Sequence, residues 1–152
     1  MADRTSGHLA SVLRVSALHH LGVAVASIAA SRAVYEQVLG LVCVGEEEVA
    51  DQKVRVAMFQ PPAMPAACRI ELLEPLADDS PIARHLQRRG PGQHHVAFAV
   101  DDLAADLQRL ARHGVRLIDE KPRRGAHGML IAFVHPASAG GVLLELCEPQ
   151  RP

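Results

Sequence analysis

Eight side chains able to bind metal or move protons occur in this chain as matched pairs. His19-His20 opens the stretch HHLGVAV, and His94-His95 opens HHVAFAV. Glu71-Leu72-Leu73-Glu74-Pro75 is echoed by Glu145-Leu146-Cys147-Glu148-Pro149. His20 recurs as His95 and Glu71 as Glu145 at nearly the same offset, which is the mark of an internal duplication. Imidazole nitrogens with carboxylate oxygens form a mixed donor set that suits divalent zinc, cobalt, nickel, manganese or ferrous iron. A carboxylate so placed can also act as a general acid or base.

For these groups to meet, they must share a face. Successive side chains of a strand point to opposite sides, so one ring of each His pair is expected on a given face. His19 falls with Leu21, Val23 and Val25, a set that predicts packing under a helix. His20 falls with Gly22 and Ala24, and His95 with Ala97 and Ala99, small residues that leave room above a concave sheet. By the same rule Glu71 parts from Glu74, and Glu145 from Glu148. Association of two duplicated units about a pseudo-twofold axis then brings His20, Glu71, His95 and Glu145 together. A single His in an apolar strand is more often a core residue, and a single Glu a solvent-facing one. Here four recur in register, and carboxylates among Ile70, Leu72, Leu143, Leu144 and Leu146 require a compensating positive charge. His8, His85 and His113 show no such register and are read as surface residues.

The elements that must position these residues follow from hydrophobic period and punctuation. The apolar run Leu18–Val25 reads as a strand, and Ser27 caps a helix with Ile28, Tyr35, Val38 and Leu39 at helical spacing, closed by Gly40. Strands follow at about 42–49, 53–59 and 69–74. The second half repeats this order: a strand at 94–100, then a helix capped by Asp102 with Leu103, Leu107 and Leu110 on one face. Strands at 115–118, 129–134 and 142–147 complete it. Ser80 and Pro81 start a connector helix that ends at Gly90. The expected fold is α+β: two tandem β-α-β-β-β modules, about 17–76 and 92–149, forming a curved mixed sheet around a metal-binding cleft. Residues 17–150 make one domain, and residues 1–16 a loosely docked extension.

Composition narrows the function. The 152 residues are 49% hydrophobic, enough for a core, and 16 basic against 17 acidic side chains leave a net charge of −1. No global field would draw nucleic acid or an anionic membrane, and no run of 18 uncharged apolar residues predicts a span. Three cysteines, Cys43, Cys68 and Cys147, in no CxxC pairing argue against a disulfide framework, so a reducing, cytoplasmic setting is expected.

The duplicated units with His20, Glu71, His95 and Glu145 resemble the vicinal oxygen chelate superfamily, which includes glyoxalase I and the extradiol dioxygenases. RIELLEPL (69–76), DSPIA (79–83), QHH (93–95), GVRLIDE (114–120), RGAHG (124–128) and HPASAGGVLLEL (135–146) resemble the methylmalonyl-CoA epimerases more closely still. The resemblance covers about 18–148. It implies that His20, Glu71, His95 and Glu145 ligate a divalent metal, and that the protein is a homodimeric isomerase acting on an acyl-CoA. In that reaction the C2 proton, flanked by a thioester and a carboxylate, is removed to give an enolate, with Glu145 as the base. Ser138, Gly140 and Gly141 are candidates for receiving the substrate carboxylate on backbone amides, and His127 is a candidate for returning a proton. Arg84, Arg88 and Arg89, or Lys121, Arg123 and Arg124, are candidates for the CoA phosphates. Some epimerases carry a further Glu on the third strand, where this chain has Val56. The alternatives are another metalloenzyme of the superfamily, such as a glyoxalase I or a dioxygenase, and a metal-free small-ligand-binding module.

Overall fold

The two HHxxxAV stretches lie side by side at the centre of a mixed sheet in the computed structural model, which describes residues 11–149. Strand β1 (Ala17–Ala24) runs antiparallel to β5 (Gly92–Ala99). On one side of this pair lie β4 (Arg69–Pro75), β3 (Val54–Gln60) and β2 (Val42–Val49). On the other lie β8 (Leu144–Glu148), β7 (Leu130–Val134) and β6 (Arg123–Arg124). The strand order β2-β3-β4-β1-β5-β8-β7-β6 is a pseudo-twofold arrangement, with β4 parallel to β1 and β8 parallel to β5. Parallel pairing requires a crossover. Helices α1 (Ile28–Ala33) and α3 (Leu103–Arg112) supply it in the two halves.

Side-chain alternation divides the core between the two faces of the sheet. Ile28 packs with Ala57, Phe59 and Leu72, while Leu103, Leu107 and Leu110 pack with Ala132, Val134 and Leu146. Phe59 and Leu72 are fully buried, and each contributes roughly 1.5–3 kcal/mol by leaving water. The other face carries Val54, Val56 and Leu73 on one side, and Ala97, Ile131 and Cys147 on the other. The sheet curls until its outer segments meet: the His127 amide donates to Glu47 of β2, and the Gln52 side chain donates to the Arg124 carbonyl. Helix α2 (Pro81–Arg89) packs Ile82 and Leu86 against Ala24 and Leu73, at one end of the resulting cleft.

The caps are as the sequence predicts. Ser27, Ser80 and Asp102 accept from the amides of Ala30, Ala83 and Ala105. A second layer of capping comes from the outer Glu of each duplicated pair: Glu74 accepts from the Ile28 amide at 2.6 Å and Glu148 from the Leu103 amide at 2.8 Å. Both carboxylates meet unpaired helix N–H groups, where negative charge is favoured.

Three local expectations need correction. The first helix does not continue regularly to Leu39. Beyond Ala33 it widens over Val34–Val38, with the Leu39 amide reaching back to the Val34 carbonyl. That shift turns Val38 and Leu39 out to solvent, and Tyr35 alone of the three packs against Phe59. The strand expected at 115–118 is reduced to a bridge between Leu117 and Val134. The Ile118 and Asp119 amides both turn to the Phe133 carbonyl and Pro122 has no N–H, so the ladder stops and resumes as the short β6. Finally, His19 does not sit under the helix. The β1–β5 register slips between Leu18 and His20, leaving His19 as the extra residue of a bulge, and its ring lies with Met58, Arg69 and His127. The expected extension at residues 1–16 falls largely outside the described residues. In its described part Val12 and Leu13 pack against the α3 cluster.

Candidate metal centre

Four residues from four strands meet at the middle of the cleft. β1 and β5 place His20 and His95, and their neighbours β4 and β8 place Glu71 and Glu145. The Nε2 atoms of His20 and His95 are 3.0 Å apart. His20 Nε2 lies 3.4 Å from Glu71 Oε2 and 3.6 Å from Glu145 Oε1. His95 Nε2 lies 3.8 and 3.5 Å from Oε2 of the same two carboxylates. Donors about 2.0–2.2 Å from one ion stand roughly 3.0–3.5 Å from each other, so this spacing fits a shared cation. All four side chains are buried, none more than 5% exposed. Among the described residues no Lys or Arg pairs with either carboxylate. Two sequestered carboxylates whose paired neighbours are imidazoles offer a donor set suited to a divalent cation.

Electrostatics separates the two carboxylates. Burial pushes the Glu145 carboxyl up to about 8; the nearby His20 opposes this and the charge of Glu71 adds to it. Burial also acts upward on Glu71, but the hydrogen bond and charge of His20 outweigh it and hold Glu71 below its usual range. Burial lowers His95 to about 3. On His20 burial acts downward as well, but Glu71 and Glu145 together raise it. A carboxyl that keeps its proton near neutrality must lose it to ligate a cation. Metal uptake by the metal-free protein is therefore expected to release a proton at pH 7, with apparent affinity rising as pH approaches about 8, where Glu145 ionises. Calorimetric titration in two buffers of different ionisation enthalpy measures this, and an affinity flat from about pH 6 to 8 would contradict it.

The backbone is fitted to the rings. Gly22 pairs with His95 across the β1–β5 ladder, and a Cβ added there would fall inside the His95 imidazole. Gly22→Ala is accordingly expected to displace His95 and weaken metal binding by at least about 10-fold, the scale of losing a ligand's support. Metal content of the purified variant, with its circular dichroism spectrum unchanged, is the check.

Glu71, His95 and Glu145 line a cavity of about 280 Å³, whose walls include Val54, Val56, Leu73, Ile82 and Met129. Val56 stands on this wall beside Leu73. Arg123 also lines the cavity and is paired with Asp119 at 3.2 Å. A second groove adjoins at Pro81, His94 and His95 and carries Arg84, Arg88 and Arg89 of α2 together with Gly141. The remaining expected contacts are dispersed. The Ser138 hydroxyl accepts from the Arg116 amide, and neither Ser138 nor Gly140 lines the cavity or the groove. His127 lies at a different opening, with His19 and Arg69, its backbone in the left-handed region at φ 56° and its ring against Gly45. Sequence reasoning overlooked His94 as a cavity residue and the helix-capping roles of Glu74 and Glu148. For all three the signal was present, because each recurs in the duplication.

A curled eight-stranded sheet built from two such modules, with paired His and Glu at its centre, is a defined class. Residues 19–133 match the Glyoxalase/Bleomycin resistance protein/Dioxygenase superfamily, and the chain belongs to it. Within that superfamily its relatives include methylmalonyl-CoA epimerases and a protein of uncharacterized activity. The ethylmalonyl-CoA/methylmalonyl-CoA epimerase of Cereibacter sphaeroides is 34% identical over 134 residues, 87% of this chain and 97% of that protein. The crystal structure of methylmalonyl-CoA epimerase from Mycobacterium tuberculosis superposes with a TM-score of 0.86 at 42% identity, covering 95% of both chains. The uncharacterized protein YqjC of Bacillus subtilis is 47% identical over 133 residues, 88% of this chain and 92% of that protein. Among the described residues no helix is long and apolar enough to cross a membrane.

Proposed function

We propose that this protein is a metal-dependent epimerase that interconverts the C2 epimers of methylmalonyl-CoA through an enolate. The observation that carries this reading is the convergence of His20, Glu71, His95 and Glu145 on one point at the cavity wall. A divalent cation held by those four would supply Lewis acidity toward the charge that develops on the substrate oxygens, worth several kcal/mol of barrier. The protein's own part is to accept the C2 proton on a Glu145 oxygen, to return a proton to C2 from another titratable group at the cavity, to exclude water with Val54, Val56 and Leu73, and to orient the thioester. The groove along α2 supports placing the CoA phosphates on Arg84, Arg88 and Arg89, since it opens beside His95 and none of its lining residues is a carboxylate. Exposed Val34, Val38, Leu39 and Val44 offer an apolar surface for the homodimer that this reading includes.

Glu71 as a fourth donor argues against an extradiol dioxygenase, which needs open positions for oxygen and a catechol together. The deciding experiment is exchange of the C2 proton of methylmalonyl-CoA in deuterated water, with and without a chelator. Exchange that chelator abolishes and added cobalt(II) restores is the expected result. Exchange indifferent to chelator would reject the metal, and no exchange at all would reject the substrate.

A further inference from the structure

The outer histidine of each duplicated pair has a structural peculiarity that the ligand set does not account for. Strand alternation should send His19 and His20 to opposite faces, and His94 and His95 likewise. Instead the β1–β5 ladder slips twice, between Leu18 and His20 and between His95 and Gln93, so that His19 and His94 are each the extra residue of a bulge. A bulge re-aims a side chain. In both cases it brings the outer ring edge-on to the inner one, with centroids 5.1 and 5.3 Å apart and interplanar angles of 77° and 86°. The contact is the same in both: Nδ1 of His19 lies 2.8 Å from Nδ1 of His20, and Nδ1 of His94 lies 3.0 Å from Nδ1 of His95.

We infer that His19 and His94 are positioning residues that fix the tautomer and the aim of the two metal-ligating imidazoles. The inference rests on the metal-centre reading above. Nε2 of His20 and of His95 point at each other and at the carboxylates, so each must present a lone pair there to ligate. A neutral imidazole then carries its single proton on Nδ1. That proton is donated to Nδ1 of the outer ring, which keeps its own proton on Nε2. An outer-shell acceptor of this kind usually is a carboxylate, a carbonyl or a water; here it is a second imidazole, supplied twice by one bulge per strand. Two independent positions related by the pseudo-twofold axis show the same distance, angle and backbone irregularity.

Paired substitutions test this. Asn retains an acceptor oxygen close to the place of Nδ1, whereas Phe fills the space and has none. His19→Phe and His94→Phe are expected to weaken cobalt(II) binding roughly 10- to 100-fold and to alter its visible spectrum. His19→Asn and His94→Asn should stay within a few-fold of the parent on both counts. The melting temperature of the metal-free protein, read alongside, should be similar for Asn and Phe at each position, because the difference lies in metal ligation. Independently, long-range ¹H–¹⁵N spectra of the zinc-loaded parent should show His20 and His95 with their proton on Nδ1. Phe variants that bind cobalt(II) as tightly as the parent, or an Nε2–H tautomer at either ligand, would overturn the inference. A parent that binds no metal at all would instead remove the metal-centre reading on which it stands.

Discussion

Replacing Glu145 with Gln is expected to abolish C2 proton exchange while leaving most of the metal in place. The carboxamide keeps an oxygen donor of the same reach on β8, opposite His20 and His95, but it cannot accept a proton. Loss of a positioned general base costs more than about 100-fold. The geometry adds a second expectation. The cavity wall formed by Val54, Val56 and Leu73 is apolar, so it offers no proton carrier, and deuterium should enter the two epimers at unequal rates in the parent. Following each epimer separately by NMR measures both effects. Undiminished exchange in Glu145→Gln would leave Glu145 a ligand and no more.

The second large effect is expected from His20→Ala and His95→Ala. Each removes one of only two nitrogen donors, and metal affinity should fall by more than the roughly 10- to 100-fold that losing an outer-shell partner costs. The fold should survive in the metal-free state, because the helices are held by Phe59, Leu72, Leu103 and Leu107 on the opposite face of the sheet. Added zinc should therefore raise the melting temperature of the parent, through binding to the folded state alone, and leave both variants unchanged. An equal zinc-induced rise in His20→Ala would take His20 out of the ligand set.

Much of this arrangement is legible in the sequence because it is written there twice. The offsets joining His20 to His95 and Glu71 to Glu145 define the modules, and alternation along β4 and β8 separates Glu71 from Glu74 and Glu145 from Glu148. Those separations hold in the structure, where Glu71 and Glu145 face the cleft and Glu74 and Glu148 cap α1 and α3. The same rule failed for His19, and for a physical reason. A bulge is a mismatch between two strands distant in sequence, and nothing local to Leu18-His19-His20 declares it. Likewise the truncated strand after Val115 depends on the Phe133 carbonyl, a partner that only the folded chain brings within reach of the Ile118 and Asp119 amides. The sequence by itself determined the duplication, the donor types and the inward face of each Glu, since these follow from side-chain chemistry and period. Tertiary structure alone decided that both rings of each His pair lie together, that the apolar wall carries Val56, and that the arginines of α2 line a groove reaching His95, because each is a relation between strands and helices that only packing fixes.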